Sequence, residues 1–204
     1  DQFGDTIRDT LGAGGVNIAQ LQRDVGPSGM SAAIVDKNGD YGAVIVSAAN
    51  LNIDTAHIAV PNDVSMVLLQ NEIPEAVNLD VARKAKALGA MVWLNAAPAR
   101  RLSDELVEMV DLLIVNRVEA QFYENETAVT MLTALGDAGV AFQGDDWPGF
   151  VVDVVSTHGA GDMFVGALAA ETLRGADMPN AIAFAQAAAA LHVSSATDKR
   201  AELT

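Results

Sequence analysis

Apolar positions recur along this chain in two rhythms, short runs that read as buried strands and longer stretches at helical spacing between them. Phe3–Leu11 opens as an amphipathic helix stopped by Gly12, Gly14 and Gly15. Ser31–Asp36 and Gly42–Ser47 read as two strands flanking Lys37-Asn38-Gly39-Asp40, where Asn-Gly marks a tight hairpin. From Val64 onward strands and helices alternate. Val64–Gln70 predicts a strand, and Pro74 starts a helix running to about Leu88, with Gly89 behind it. Met91–Leu94 and Leu112–Val115 predict two further buried strands. Between them Ser103 stands as an N-cap, followed by Asp104 and Glu105 where the helix dipole favours acids. A helix is expected after Asn116 and a second helical stretch near Thr127–Leu135. Val140–Phe142 and Phe150–Val154 are strand-like, and two Ala-rich helices, Gly161–Leu173 and Pro179–Val193, complete the pattern. Such interleaving predicts an α/β fold, a mostly parallel sheet with helices on both faces, plus one antiparallel hairpin.

Composition narrows the function classes. The 204 residues are half apolar, which suffices for one sizeable core, so 1–204 is expected as a single domain. The longest apolar runs, such as Ala181–Val193, fall short of the roughly 18–20 residues that span a bilayer, and the opening Asp1-Gln2-Phe3-Gly4 lacks the pattern of a signal peptide. No membrane association is expected. The chain has no cysteine, which removes disulfides, thiolate metal sites and a cysteine nucleophile together and makes a reducing cytoplasm the natural location. A net charge of −15 argues against sequence-independent binding of nucleic acid. It leaves nucleotide binding open, because backbone N–H groups at a helix start hold phosphates without a basic patch.

The chemistry concentrates in Val155-Ser156-Thr157-His158-Gly159-Ala160-Gly161-Asp162, between an expected strand and a long helix. Gly159 and Gly161 permit a tight turn and a close approach to a ligand, and several N–H groups at a helix start form an anion site. An acid at the mouth of such a site repels phosphate as a plain cap. As a general base for an attacking hydroxyl it is worth roughly 10²–10⁴ in rate. The bland alternative is a glycine loop whose Asp162 only caps the helix.

The stretch Gly159-Ala160-Gly161-Asp162-Met163-Phe164-Val165-Gly166-Ala167-Leu168 resembles the C-terminal signature of ribokinase-like (PfkB-family) carbohydrate kinases. The resemblance implies a doubly wound α/β kinase domain, with residues 28–48 contributing to a small β lid. It further implies Asp162 as catalytic base, with the amides of Gly159, Ala160 and Gly161 as the anion hole. Asn116-Arg117-Val118-Glu119 resembles the family's N-x-x-E segment, so Asn116 and Glu119 are implied to place Mg²⁺ through water; by itself the pattern is equally a helix start. Leu94-Asn95-Ala96-Ala97-Pro98-Ala99 resembles the N-P-A-P segment, and Gln70-Asn71-Glu72-Ile73-Pro74 the Q-x-E-x-P segment. These imply Glu72 and Asn95 as sugar-binding residues; otherwise Glu72 is a solvated loop acid. Ala134-Leu135-Gly136-Asp137-Ala138-Gly139 is similar to the T-L-G-x-x-G nucleotide segment, with Ala134 in place of the usual Thr, and implies Ala134, Gly136 and Gly139 against ATP. The implied activity is transfer of the γ-phosphoryl group of ATP to a primary hydroxyl of a small sugar, ribose first. Another sugar, a nucleoside, or a non-catalytic binder of this fold are the alternatives.

Three departures qualify the resemblance. Family chains begin with a strand and a Gly-Gly-Asn grip on the sugar that have no counterpart here; Gly14-Gly15-Val16-Asn17 only mimics the grip. An isolated molecule of these residues would then be inactive. The joints Glu124–Glu126, Gln143–Asp146 and Ser195–Asp198 are shorter than the family's, as if segments of a longer protein were missing. Ser156 replaces an Asp that helps hold an activating monovalent cation such as K⁺; serine keeps one oxygen and loses the charge, which weakens that expectation. The family often forms homodimers through the lid, and the resemblance implies the same. His57, His158 and His192 lack partners at metal-ligand spacing, no Walker A lysine or G-x-S-x-G elbow is present, and Trp93, Met66, Met91, Met109 and Met131 read as core, with Trp147 in a loop.

Overall fold

Alternating side chains on the central strands divide the interior into two layers. In the computed structural model, which describes residues 1–35, 41–126 and 128–202, six strands form one sheet in sequential order. These are β3 (Met66–Gln70), β4 (Met91–Asn95), β5 (Leu112–Asn116), β6 (Met131–Ala134), β7 (Val140–Phe142) and β8 (Asp145–Trp147). The first four run parallel, and β7 and β8 close the sheet antiparallel. Val92 and Leu94 of β4 with Leu113 and Val115 of β5 pack beneath α2 (Glu75–Ala87) and α3 (Asp104–Met109), through Ala82, Ala85, Leu106 and Val107. Trp93, Leu112, Ile114, Leu132, Val140 and Phe142 form the opposite layer, under α5 (Ala160–Leu173) and α6 (Met178–Ser194). Period-two burial puts helices on both faces of the sheet. The four expected methionines all pack against one layer or the other.

Local chemistry sets the boundaries. Ser103 caps α3 by accepting from the Leu106 N–H, and Pro74 precedes α2. In α2 the fully buried Asn78 donates to the Gln70 carbonyl at 2.9 Å, tying that helix to the end of β3. Before the main sheet lie α1 (Gln2–Ala13) and an antiparallel pair, β1 (Met30–Val35) and β2 (Tyr41–Val46), the expected lid hairpin. Its Lys37–Asp40 turn lies outside the described residues.

Two elements differ from the sequence expectation. The stretch near 127–135 is not helical: Met131–Ala134 is β6, paired parallel with Leu113–Asn116. Its Ala and Leu content favours helix locally, but burying Leu132 completely in a ladder beside β5 outweighs that small propensity. Phe150–Val154 is not a strand either. It runs irregular and exposed, and Asp145–Trp147 takes the sheet position instead. Gln143 and Gly144, both at positive φ (51° and 91°), make a two-residue hairpin turn there, so Gln143–Asp146 is a tight connection and Trp147 a strand residue.

Candidate active site

Strand polarity and register bring the polar strand ends together. The alternation that sends Val92 and Leu94 toward α2 and α3 sends Trp93 and Asn95 to the other face. Gln70 pairs beside Asn95, Asn95 beside Ile114, and Asn116 beside Ala134. Gln70, Asn95, Asn116 and Ala134 therefore lie at the C-terminal ends of four neighbouring parallel strands, on the face that α5 and α6 cover. Open α/β sheets take ligands at those ends.

The glycine turn lies at the start of α5. The Val155 and Ser156 N–H groups donate to the Val193 carbonyl at the end of α6, at 2.8 and 3.2 Å. The Ser156 hydroxyl accepts from the His158 N–H. Gly159 has φ +78°, and a Cβ there would stand 3.0 Å from the His192 Nε2, so both conformation and space require glycine. His192 Nε2 bonds the His158 carbonyl at 2.9 Å; His192 thus holds the turn from behind, and His158 contributes backbone. Asp162, third residue of α5, is exposed. The Gly161 and Asp162 N–H groups have no carbonyl partner among the described residues, whereas the Ala160 N–H already donates to Thr157 at 3.2 Å. The free amides at this helix start are therefore those of Gly161 and Asp162, while the Ala160 amide is engaged within the turn.

Asn116 and Glu119 form a closed capping box at the start of α4 (Arg117–Phe122). The Asn116 side chain accepts from the Val118 and Glu119 N–H groups at 2.8 and 2.9 Å, and Glu119 Oε2 accepts from the Asn116 N–H at 2.8 Å. Glu119 is buried, and burial pushes its carboxyl above the ordinary range against the pull of the Asn116 N–H. The box engages one carboxylate oxygen, Oε2.

The glycines of the Ala134–Gly139 segment have different tasks. Gly136, at φ +68°, has no heavy atom within 4 Å of where a Cβ would sit, so a ligand can approach its backbone. At Gly139 that Cβ would fall 1.9 Å from the Trp147 carbonyl, so this glycine lets the β7–β8 hairpin pack. Arg117 Nη2 bonds the Leu135 carbonyl at 2.8 Å, joining the segment to α4.

Glu72 lines a cavity of about 360 Å³ between the lid and the loops after β3 and β4, walled by Ile45, Leu51, Asn71, Pro98 and Arg100. That volume is at the small end of the range for ligand sites. Asn95 does not line it. Sequence reasoning missed the hub of this wall. The buried Tyr123 hydroxyl donates to the Arg100 carbonyl at 2.7 Å and accepts from the Arg100 N–H and from Asn71 Nδ2, at 3.1 and 3.3 Å. Asn71 Oδ1 and Arg100 Nε and Nη2 are buried with no partner among the described residues. The sequence signal for them was slight: Asn71 lies inside the Q-x-E-x-P stretch and Arg100 directly follows the N-P-A-P stretch, while Tyr123 is in neither. No hydrogen bond joins Asp162 to Glu72, Asn95, Asn116 or Glu119 among the described residues, so they are separate parts arranged by the sheet.

Residues 1–201 match the family described as pfkB family carbohydrate kinase. The chain belongs to that family. Its members are phosphotransferases with an alcohol group as acceptor. The chain is 32% identical over 212 residues to the ribokinase of Bacillus subtilis, covering 96% of this chain and 72% of that one. Among solved structures, the ribokinase of Thermotoga maritima superposes with a TM-score of 0.81 at 26% identity, over 98% of this chain and 74% of that one. Arabidopsis thaliana ribokinase, solved with ribose and ATP, gives a TM-score of 0.72 at 26% identity, over 84% and 65% of the two chains. Family and fold agree with the arrangement of strands, lid and glycine turn. No helix among the described residues is long and apolar enough to cross a membrane.

Proposed function

We propose that this chain carries the phosphoryl-transfer site of an ATP-dependent sugar kinase whose first substrate is ribose, phosphorylated at its primary hydroxyl. One observation carries the reading: Asp162 stands exposed beside the unpartnered Gly161 N–H on the first turn of α5. Its carboxylate takes the hydroxyl proton as the alcohol oxygen forms its bond to the γ-phosphorus, and the bond to the ADP oxygen breaks. The Gly161 and Asp162 amides, supported by the α5 dipole, meet the charge on the transferring group. The Gly136 backbone offers the nucleotide an unobstructed approach. Glu72 and Ile45 of β2 both line the sugar cavity, and the lid excludes water that would otherwise consume ATP.

Magnesium fits this donor set as a water-held ion. Glu119 has one oxygen outside the capping box, Mg²⁺ keeps most of its waters, and no cluster of three His, Asp or Glu side chains forms a metal cage among the described residues. When bound with ATP, the ion neutralises charge on the phosphate oxygens. Asn116 orients Glu119 for that contact. The lid hairpin supports a homodimer. Ile45, opposite Ser31, faces the cavity, so Val44, Val46 and Met30 fall on the outer face, each about half exposed and apolar. A second copy of the lid is the natural cover.

The test is Asp162→Asn. Turnover should fall by roughly 10²–10⁴ while ATP binding measured by calorimetry is retained. A variant keeping more than about a tenth of wild-type turnover contradicts the role. ADP release measured with ribose, fructose, 2-keto-3-deoxygluconate and adenosine identifies the acceptor. Release with ribose no faster than with the other three removes ribose as first substrate.

A further inference from the structure

The glycine turn also holds a cation of the protein's own. The half-buried guanidinium of Arg200 lies in the short 3₁₀ turn Thr197–Glu202. It donates through Nη2 to the Ser156 carbonyl at 2.8 Å, through Nη1 to the His158 carbonyl at 3.0 Å, and through Nε to the Ser195 carbonyl at 3.3 Å. The three acceptors are neutral backbone oxygens. Converging carbonyls of this kind replace the hydration shell of a monovalent cation. A single neutral donor would satisfy one of them. The planar fork of arginine reaches all three and places a permanent positive charge next to a turn that receives anions. The His158 carbonyl takes a second donor, His192 Nε2, so the residue before Gly159 is gripped by two side chains.

The monovalent-cation site that the family resemblance implies at position 156 does not fit this chain. Ser156 has no charge, and its carbonyl already accepts from Arg200. We propose that Arg200 is a built-in cation and a positioning residue, fixing the Ser156–His158 carbonyls so that the Gly161 and Asp162 amides face the phosphoryl group. Turnover is consequently independent of added monovalent cations. The kinetic half of this assignment rests on the kinase reading above; the structural half does not.

The experiment compares wild-type protein with Arg200→Ala and Arg200→Lys at constant ionic strength, in chloride salts of potassium, sodium, tetramethylammonium or guanidinium at millimolar concentration. Both thermal unfolding and ADP release are followed. Wild type should unfold at one temperature and turn over at one rate in all four. Arg200→Ala should unfold earlier and lose about tenfold to a hundredfold in kcat, as misplaced catalytic groups do. Potassium or guanidinium, but not tetramethylammonium, should restore part of both. Arg200→Lys, which keeps the charge without the fork, should fall between and is read instead if Arg200→Ala does not fold. Selective activation or stabilisation of the wild type by potassium overturns the proposal. So does an Arg200 variant as stable and active as wild type, or a loss that no cation restores, which makes Arg200 a plain structural tie. If wild type shows no kinase activity, the kinase reading fails, and the unfolding data still decide whether Arg200 fills a cation site.

Discussion

Gly159 and Gly161 are two residues apart, and the structure assigns them opposite reasons for being glycine. At Gly159, alanine must adopt the left-handed conformation at φ +78°, and its methyl would sit 3.0 Å from His192 Nε2, against a ring tied at 2.9 Å to the His158 carbonyl. The conformation costs about 1–2 kcal/mol, and weakening the His192 bond adds about 0.5–1.5 kcal/mol. For a chain of this size each kcal/mol lowers Tm by roughly 2–4 °C, so Gly159→Ala should melt about 5–10 °C below wild type. Gly161 lies in the first turn of α5 with nothing within 4 Å of an added Cβ. Alanine there should leave stability unchanged or raise it by up to about 1 kcal/mol. Yet in the proposed mechanism the methyl crowds the space where the free Gly161 amide meets the phosphoryl group. Losing one such donor costs about 10²–10³ in kcat. Calorimetric melting and ADP release on both variants measure the contrast. Gly161→Ala with wild-type kcat refutes the anion-hole assignment, and Gly159→Ala with wild-type Tm refutes the strained turn.

Three further outcomes follow from particular contacts. Tyr123→Phe removes the hydroxyl joining Asn71 to the Arg100 backbone and should cost about 1–3 kcal/mol in urea unfolding, with a raised KM for the sugar as the cavity wall loosens; an unchanged midpoint argues against the hub. Glu119 has a folded-state carboxyl raised by burial, so the folded protein binds more protons than the unfolded chain between the two pKa values, and this group's contribution to stability falls as pH rises through that window. Glu119→Gln, which keeps the capping-box acceptor, should therefore match or exceed wild-type stability at pH 7, with the difference vanishing below the ordinary carboxylate range, while Mg²⁺-dependent turnover drops. Lower stability of the variant at pH 7 contradicts this. Val44→Asp on the outer lid face should shift a dimer to monomer in light scattering, and an unmoved mass excludes the lid as the interface.

Elements governed by local rules were legible from the chain alone. Ser103 before two acids, Pro74 ahead of a helix, and the apolar runs of β3, β4, β5 and β7 each name their structure within a few residues, because caps and period-two burial are short-range effects. The glycine turn was equally readable, since few sequences need two glycines and an acid at a helix start. Where reading failed, the deciding contact was distant. Met131–Ala134 becomes a strand only because Leu113–Asn116 lies alongside, and Phe150–Val154, strand-like in isolation, pairs with no strand among the described residues. Gln143-Gly144 lacks the usual Asn-Gly spelling of its turn, which hid β8.

The sequence by itself determined the class of fold, the family and the place of Asp162 at the start of a long helix, because these depend on residue type and order. Only the tertiary structure decided which glycines are fixed by packing and which stand open, that Tyr123 ties two loops into one wall, and that a guanidinium forty-four residues downstream reaches the carbonyl of Ser156. Hydrogen bonds and close approaches between such distant positions exist only once the sheet has brought them together, and no local pattern encodes them.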